Sequence, residues 1–126
     1  MQNKINIKVD ISGARGFIGS NLYDYLLKKN NYNINKRQNF FFFSSYKNID
    51  LNDSLLIHLS EKSDRNFVNN LDNNYIDKNK NFVSEIVKHY KKVIYLSSSA
   101  VYGYNGTKPY SEEDKTYQFD LYTKNK

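Results

Sequence analysis

Gly13-Ala-Arg-Gly16-Phe-Ile-Gly19 decides how this chain is read. It follows an apolar alternating run, Ile5 to Ile11, and opens a helix-like run, Phe17 to Leu27. A glycine triplet between a strand and a helix makes a loop that can hold a diphosphate. The first glycine permits a sharp turn. The second lets backbone N–H groups approach phosphate oxygens, and the third lets helix and strand pack closely. The positive end of the helix dipole adds to anion binding. The competing reading is a tight turn in an α/β core with no ligand.

Outward from this loop the chain alternates strand and helix patterns. Ile5, Ile7, Val9 and Ile11 predict a first strand, although Lys8 and Asp10 depart from the two-sided apolar pattern of a central parallel strand. Ile18, Leu22 and Leu26 predict a helix face turned to the sheet, ended by Lys28 and Lys29. Tyr32 to Asn35 predicts a short second strand, Phe40 to Phe43 a buried third and Leu55 to Leu59 a fourth. The interval between the second and fourth is short, so a crossover helix there is expected to be reduced or lost. Asn66 to Asn74 reads as a polar loop with at most a helical turn. Asn79 to Tyr90 predicts a helix burying Phe82, Ile86 and Tyr90 beside Val83 and Val87, and Val93 to Leu96 predicts a fifth strand. Gly103 to Glu113 is a loop, and a last helix starts near Asp120. The alternation predicts an α/β fold with a doubly wound parallel sheet.

Two further segments carry chemistry. Val93-Ile-Tyr-Leu-Ser97-Ser98-Ser99 is an apolar strand ending in three hydroxyls, at the carboxyl edge where open α/β sheets bind ligands. Tyr122 and Lys126 are spaced i, i+4, which puts both on one helix face. The plain alternatives are a polar strand end entering a turn and a solvated helix pair.

In order and spacing, Gly13–Leu22, Leu56-Ile-His-Leu59, Tyr95–Gly103, Pro109-Tyr-Ser-Glu112-Glu113 and Tyr122–Lys126 make the chain resemble a known family. It is the NAD-dependent epimerase/dehydratase group of extended short-chain dehydrogenase/reductases, which act on nucleotide sugars. The resemblance implies a Rossmann-like sheet. Members are much longer, so residues 1–126 are expected to be a single, incomplete NAD(P)-binding domain. The last strands and the substrate lobe would lie beyond Lys126.

The resemblance also implies roles. Tyr122 is the expected acid/base. Lys126 is its cationic partner, which favours phenolate and hydrogen-bonds the nicotinamide ribose. Ser98 is the expected catalytic hydroxyl, with Ser99 the alternative if the register shifts by one. Gly13, Arg15, Gly16, Phe17, Ile18 and Gly19 are expected around the cofactor diphosphate. Asp50 and Leu51 are expected to flank the adenine, and Leu59, Ser60 and Ser97 to stand beside the cofactor. NAD-preferring members carry an acidic residue at the end of the second strand. This chain has Asn35-Lys36-Arg37 there and Arg15 in the glycine loop, cations that suit a 2′-phosphate. The expectation is NAD or NADP, tipped to NADP by these cations, while Asn35 or Asn39 could still serve NAD.

Relatives that dehydrate sugars place an Asp-Glu pair just after the catalytic hydroxyl. Ser99 and Ala100 stand there instead, and a methyl group cannot shuttle a proton. The expected activity is therefore nucleotide-sugar epimerisation or 4-keto-sugar reduction, in a full-length homodimer. A catalytically silent dinucleotide-binding module is the alternative, and a basic nucleic-acid-binding domain a remote third.

Bulk properties narrow the field. Lys and Arg number 19 against 13 Asp and Glu, for a net charge of +6 over 126 residues. The lysines are scattered, as in Lys28-Lys29 and Lys91-Lys92, so neither a nucleic-acid nor a membrane partner is expected. Cysteine is absent, which excludes disulfide and thiol chemistry. With two histidines and no clustered carboxylates no metal site is expected. His58 is read as a packed strand-end residue. The N-terminus has no signal-peptide core and no run reaches transmembrane length, so a cytoplasmic protein is expected.

Overall fold

The computed structural model describes residues 6–37, 53–104 and 108–126. The expected strand at Phe40 to Phe43 and the adenine-side pair Asp50 and Leu51 lie outside the described residues. The described chain divides into two compact units, Met1–Glu61 with Asn81–Leu96, and Lys62–Lys80 with Ser97–Lys126.

The first unit is built on four parallel strands: β1 (Ile7–Ser12), β2 (Tyr32–Arg37), β3 (Ser54–His58) and β4 (Lys92–Tyr95). Their order is β2-β1-β3-β4, so the chain steps to one side of β1 and then to the other. This is a Rossmann-like sheet, and the gap between β1 and β3 is its topological switch point. Side-chain alternation splits the core into two faces. Val9 and Ile11 pack with Leu22 and Leu26 of α1 (Phe17–Leu27) and with Ile34, Leu55 and Ile57. Leu56 packs on the other face with Phe82, Ile86 and Tyr90, residues at the end of α3 (Asn73–Ile86) and just after it.

Three expectations need correction. Ile18 was expected to face the sheet but is 53% exposed, because the buried stripe of α1 runs through Leu26, Leu22 and Gly19. Steps of four residues drift around a helix of 3.6 residues per turn, and Ile18 has drifted off the stripe. The segment Asn66 to Asn74 is not mainly loop. It holds α2 (Arg65–Asn69) and the start of α3. Asp64 accepts the Phe67 N–H at 2.9 Å and Asp72 the Tyr75 N–H at 3.0 Å, so the polar residues that suggest a loop serve as helix caps. Finally α3 ends at Ile86, and the chain reaches Tyr90 through tightened turns, Lys88 N–H to Glu85 O and His89 N–H to Ile86 O. Tyr90 stays buried all the same.

The second unit contains α2, the first residues of α3, a 3₁₀ turn (Ser99–Tyr102) and α4 (Leu121–Asn125). Asp120 caps α4 in a reciprocal capping box with Thr123, and α4 packs against α2 and the 3₁₀ turn. The side-chain amides of Asn79 and Asn125, both buried, meet at 2.8 Å. No described helix is long and apolar enough to cross a membrane.

Candidate functional site

The glycine loop lies at the carboxyl end of β1, at the switch point. Gly13 has φ +70°, and a Cβ on it would stand 2.7 Å from the Leu59 carbonyl oxygen and 2.9 Å from the Ser60 nitrogen. Only glycine allows both that backbone geometry and that approach. A Cβ on Gly19 would stand 2.2 Å from the Gly13 carbonyl oxygen, so the helix closes directly onto the loop. Gly16 is different. A Cβ there meets only the Gly13 carbonyl oxygen, at 3.3 Å. Gly16 is the N-cap of α1 and is exposed, and no side chain caps this helix end. Its openness fits a backbone that a bound anion approaches. Arg15, Phe17 and Ile18 are exposed around the same loop, Phe17 at 87%.

A buried relay fixes this loop from below. Ser12, the residue before Gly13, is fully buried, and its Oγ lies 2.9 Å from His58 Nδ1. His58 Nε2 lies 3.1 Å from Glu61 Oε1. A carboxylate only accepts, so Nε2 donates to Glu61, and in that tautomer Nδ1 accepts a hydrogen bond from the Ser12 hydroxyl. The Leu59 N–H donates to Ser12 Oγ at 3.1 Å. The His58 ring stacks on Tyr95 at 5.4 Å. His58 is thus the packed strand-end residue that was expected, and it ties the loop after β3 to the loop after β1. Beside it, Ser60 Oγ is buried and has no hydrogen-bond partner among the described residues.

These features fit a dinucleotide. The glycine loop is a cradle that side chains would fill, and Ser60, whose backbone nitrogen borders Gly13, carries a buried hydroxyl without a partner among the described residues. Arg37, expected near the ribose, donates from Nε to the buried Asp10 carboxylate at 2.7 Å. Nothing in the run Ile5 to Ile11 foretold a purpose for Asp10. The signal lay in Asn35 and Arg37, polar residues of matching parity on the neighbouring strand.

The candidate catalytic residues Ser98, Tyr122 and Lys126 all belong to the second unit. Ser98 is half-buried and its Oγ accepts the Ala100 N–H at 3.2 Å, which caps the 3₁₀ turn. Its hydroxyl proton is still a donor. The Ser97 hydroxyl donates to the Lys126 carbonyl oxygen at 3.1 Å. Tyr122 is buried, and the Lys126 ammonium stands 5.4 Å from its ring centroid.

The helix that carries Tyr122 is held by residues that sequence reasoning missed. Arg65 donates to Asp120 Oδ2 from Nε at 2.9 Å and from its terminal nitrogen at 2.8 Å. Asn69 donates to the same oxygen at 3.0 Å. Desolvation pushes the Asp120 carboxyl up, but the bonds from the Thr123 N–H and hydroxyl, Arg65 and Asn69 outweigh it. They hold the group well below the usual carboxylate range.

Against known proteins, residues 9–126 match the NAD dependent epimerase/dehydratase family. Three solved structures share the fold. ADP-L-glycero-D-manno-heptose-6-epimerase from Helicobacter pylori matches with a TM-score of 0.72 at 21% identity, over 99% of this chain and 50% of that one. dTDP-glucose 4,6-dehydratase from Bacillus anthracis, in complex with NAD, matches with a TM-score of 0.60 at 18% identity, over 94% and 46%. UDP-glucuronic acid 4-epimerase from Bacillus cereus, in complex with UDP-4-deoxy-4-fluoro-glucuronic acid and NAD, matches with a TM-score of 0.61 at 24% identity, over 94% and 48%. The chain spans about half the length of each. No match was found among curated proteins.

Proposed function

Because this chain belongs to the NAD-dependent epimerase/dehydratase family, we propose that it serves an NAD(P)-dependent nucleotide-sugar epimerase or 4-keto-sugar reductase. The observation that carries the reading is the pairing of Tyr122 with Lys126 on a helix packed against the turn that Ser98 caps. The names of the three solved relatives support a nucleotide sugar as substrate.

The glycine loop, with Gly13, Gly16 and Gly19, would hold the cofactor diphosphate, and Ser60 would supply a hydroxyl beside it. A nicotinamide bound there supplies hydride acceptance and return. The Tyr122 phenol moves the proton of the sugar hydroxyl, and the Lys126 cation favours its phenolate. Ser98 donates a hydrogen bond to the reacting oxygen, where negative charge develops. Ser99 and Ala100 follow Ser98 and offer no carboxyl group for removing water, which sets dehydration aside.

The test is Tyr122→Phe in the full-length protein, assayed on UDP-, dTDP- and ADP-sugars with either dinucleotide. Turnover falls by about 10²- to 10⁴-fold, the usual contribution of a positioned acid/base, with dinucleotide affinity kept. Retained turnover overturns the assignment. Dinucleotide binding by the full-length protein without turnover on any sugar marks a silent binding module instead.

A further inference from the structure

Asp10 is fully buried in the middle of β1, where a central parallel strand is ordinarily apolar. Its carboxylate accepts three hydrogen bonds. Arg37 Nε donates at 2.7 Å, the Tyr90 hydroxyl at 2.7 Å and Asn35 Nδ2 at 3.1 Å. In register, Asp10 pairs with Asn35 and Ser12 with Arg37. Arg37 therefore starts at the level of the carboxyl edge, one residue short of Gly13, and reaches back two positions along the sheet to meet Asp10. Its side chain is 21% exposed. A buried carboxylate persists only with a countercharge and with its oxygens bonded, and Arg37 supplies that charge.

The neighbouring cation is committed as well. Lys36 lies on the opposite face of β2 and holds its ammonium 3.9 Å from the Tyr23 ring centroid. Two of the three cations that suggest a 2′-phosphate are thus engaged by the fold, each on a different face of the strand.

We infer that Asp10 sets the cofactor preference toward NAD by drawing Arg37 back from the position of the adenosine ribose. The inference rests on the proposed dinucleotide site and deepens it. A 2′-phosphate needs a cation presented to it, best as a guanidinium fork. Here the guanidinium at the end of β2 is already balanced by a buried carboxylate, and turning it outward would strip Asp10 of its countercharge. A ribose 2′-hydroxyl makes no such demand. Asp10 touches no cofactor atom in this account and acts as a positioning residue through Arg37.

The experiment is calorimetric titration of the purified protein with NAD⁺ and NADP⁺ in parallel. The parent protein binds NAD⁺ at least about tenfold more tightly, the scale of one charge-assisted hydrogen bond. Equal or tighter binding of NADP⁺ overturns the inference and leaves the dinucleotide site standing. No heat with either ligand overturns the site itself. Asp10→Asn keeps the shape and releases Arg37, so the preference moves toward NADP⁺ by about tenfold, and adding Arg37→Gln abolishes that gain. A folded Asp10→Asn protein with an unmoved ratio contradicts the inference, as does a gain that survives the second change. Arg37→Gln alone keeps an N–H donor for Asp10 and decides the matter if Asp10→Asn does not fold. Its ratio stays within about twofold of the parent, since a twofold change is well under one hydrogen bond, and a selective loss of NADP⁺ binding shows that Arg37 reads the phosphate after all.

Discussion

The side-chain oxygen of Asn69 accepts the backbone N–H of Tyr122 at 2.9 Å, across 53 residues of sequence. The amide nitrogen of the same side chain donates to Asp120, the cap of the helix that Tyr122 belongs to. A five-residue helix has almost no stability of its own. The place of Tyr122 therefore depends on its anchors, Asn69, Arg65 and Asp120, more than on the propensity of residues 121–125.

Asn69→Ala removes both bonds while leaving Tyr122 and Lys126 chemically intact. Turnover falls by about tenfold, because small errors in placing a catalytic group are costly, and dinucleotide affinity does not change. Steady-state kinetics with a parallel binding titration check this. Loss of binding and turnover together would mean that the anchor supports the fold generally.

Asp120→Ala removes the cap and costs about 1 kcal/mol, the common penalty for losing an N-cap. The pH dependence has a definite sign. The folded-state carboxyl is held below its unfolded value, so its contribution is complete above the unfolded pKa of about 3.9 and fades as pH falls below it. Urea unfolding of the parent and of Asp120→Asn should show a constant gap from pH 7 to about 5, narrowing below about 4. A gap that narrows as pH rises from 5 to 7 would contradict this assignment.

The three glycines separate folding from binding. Gly13→Ala and Gly19→Ala force a side chain into backbone atoms, at 2.7 Å and 2.2 Å respectively. Each costs about 2 kcal/mol or more of stability, from strain and overpacking. Gly16→Ala meets a single oxygen at 3.3 Å, so thermal stability is nearly unchanged. Its methyl group stands where a diphosphate would approach, and dinucleotide affinity falls by about tenfold or more, the loss of one or two hydrogen bonds. Thermal melts and titrations of the three variants check the division.

Ser60→Ala removes a buried hydroxyl that has no described partner. Without ligand the variant is as stable as the parent or slightly more so, because an unsatisfied buried group is destabilising. With dinucleotide it binds about two- to tenfold more weakly, the worth of one hydrogen bond. A melting temperature that drops by several degrees without ligand would show that the hydroxyl is already satisfied.

Much of the first unit was legible in the sequence because its signals are local. The run Phe17 to Leu27 predicted α1 with the bounds observed, and the glycine spacing located the tight loop before it. The second strand was found but ended two residues early, at Asn35 rather than Arg37. Lys36 and Arg37 carry charge, and only pairing with Tyr23 and Asp10 explains them inside a strand. α2 was hidden for a related reason. Asn and Asp cap helices and make turns equally well, and the burial of Val68 that favours a helix is tertiary information. At the candidate site the motif supplied Ser98, Tyr122 and Lys126. Asp120 opens the last helix in a local capping pattern, but its partners Arg65 and Asn69 lie more than fifty positions away, and no local pattern points to them.

The proposed site puts a dinucleotide diphosphate on the loop Gly13 to Gly19. Hydrogen–deuterium exchange of the backbone amides, with and without saturating NAD⁺, tests it most directly. A diphosphate on the loop slows exchange at residues 14–19 and at Ser60 and leaves the residues of β2 that face away from the loop unaffected. Unchanged exchange across the glycine loop, while protection develops elsewhere or nowhere, would contradict it.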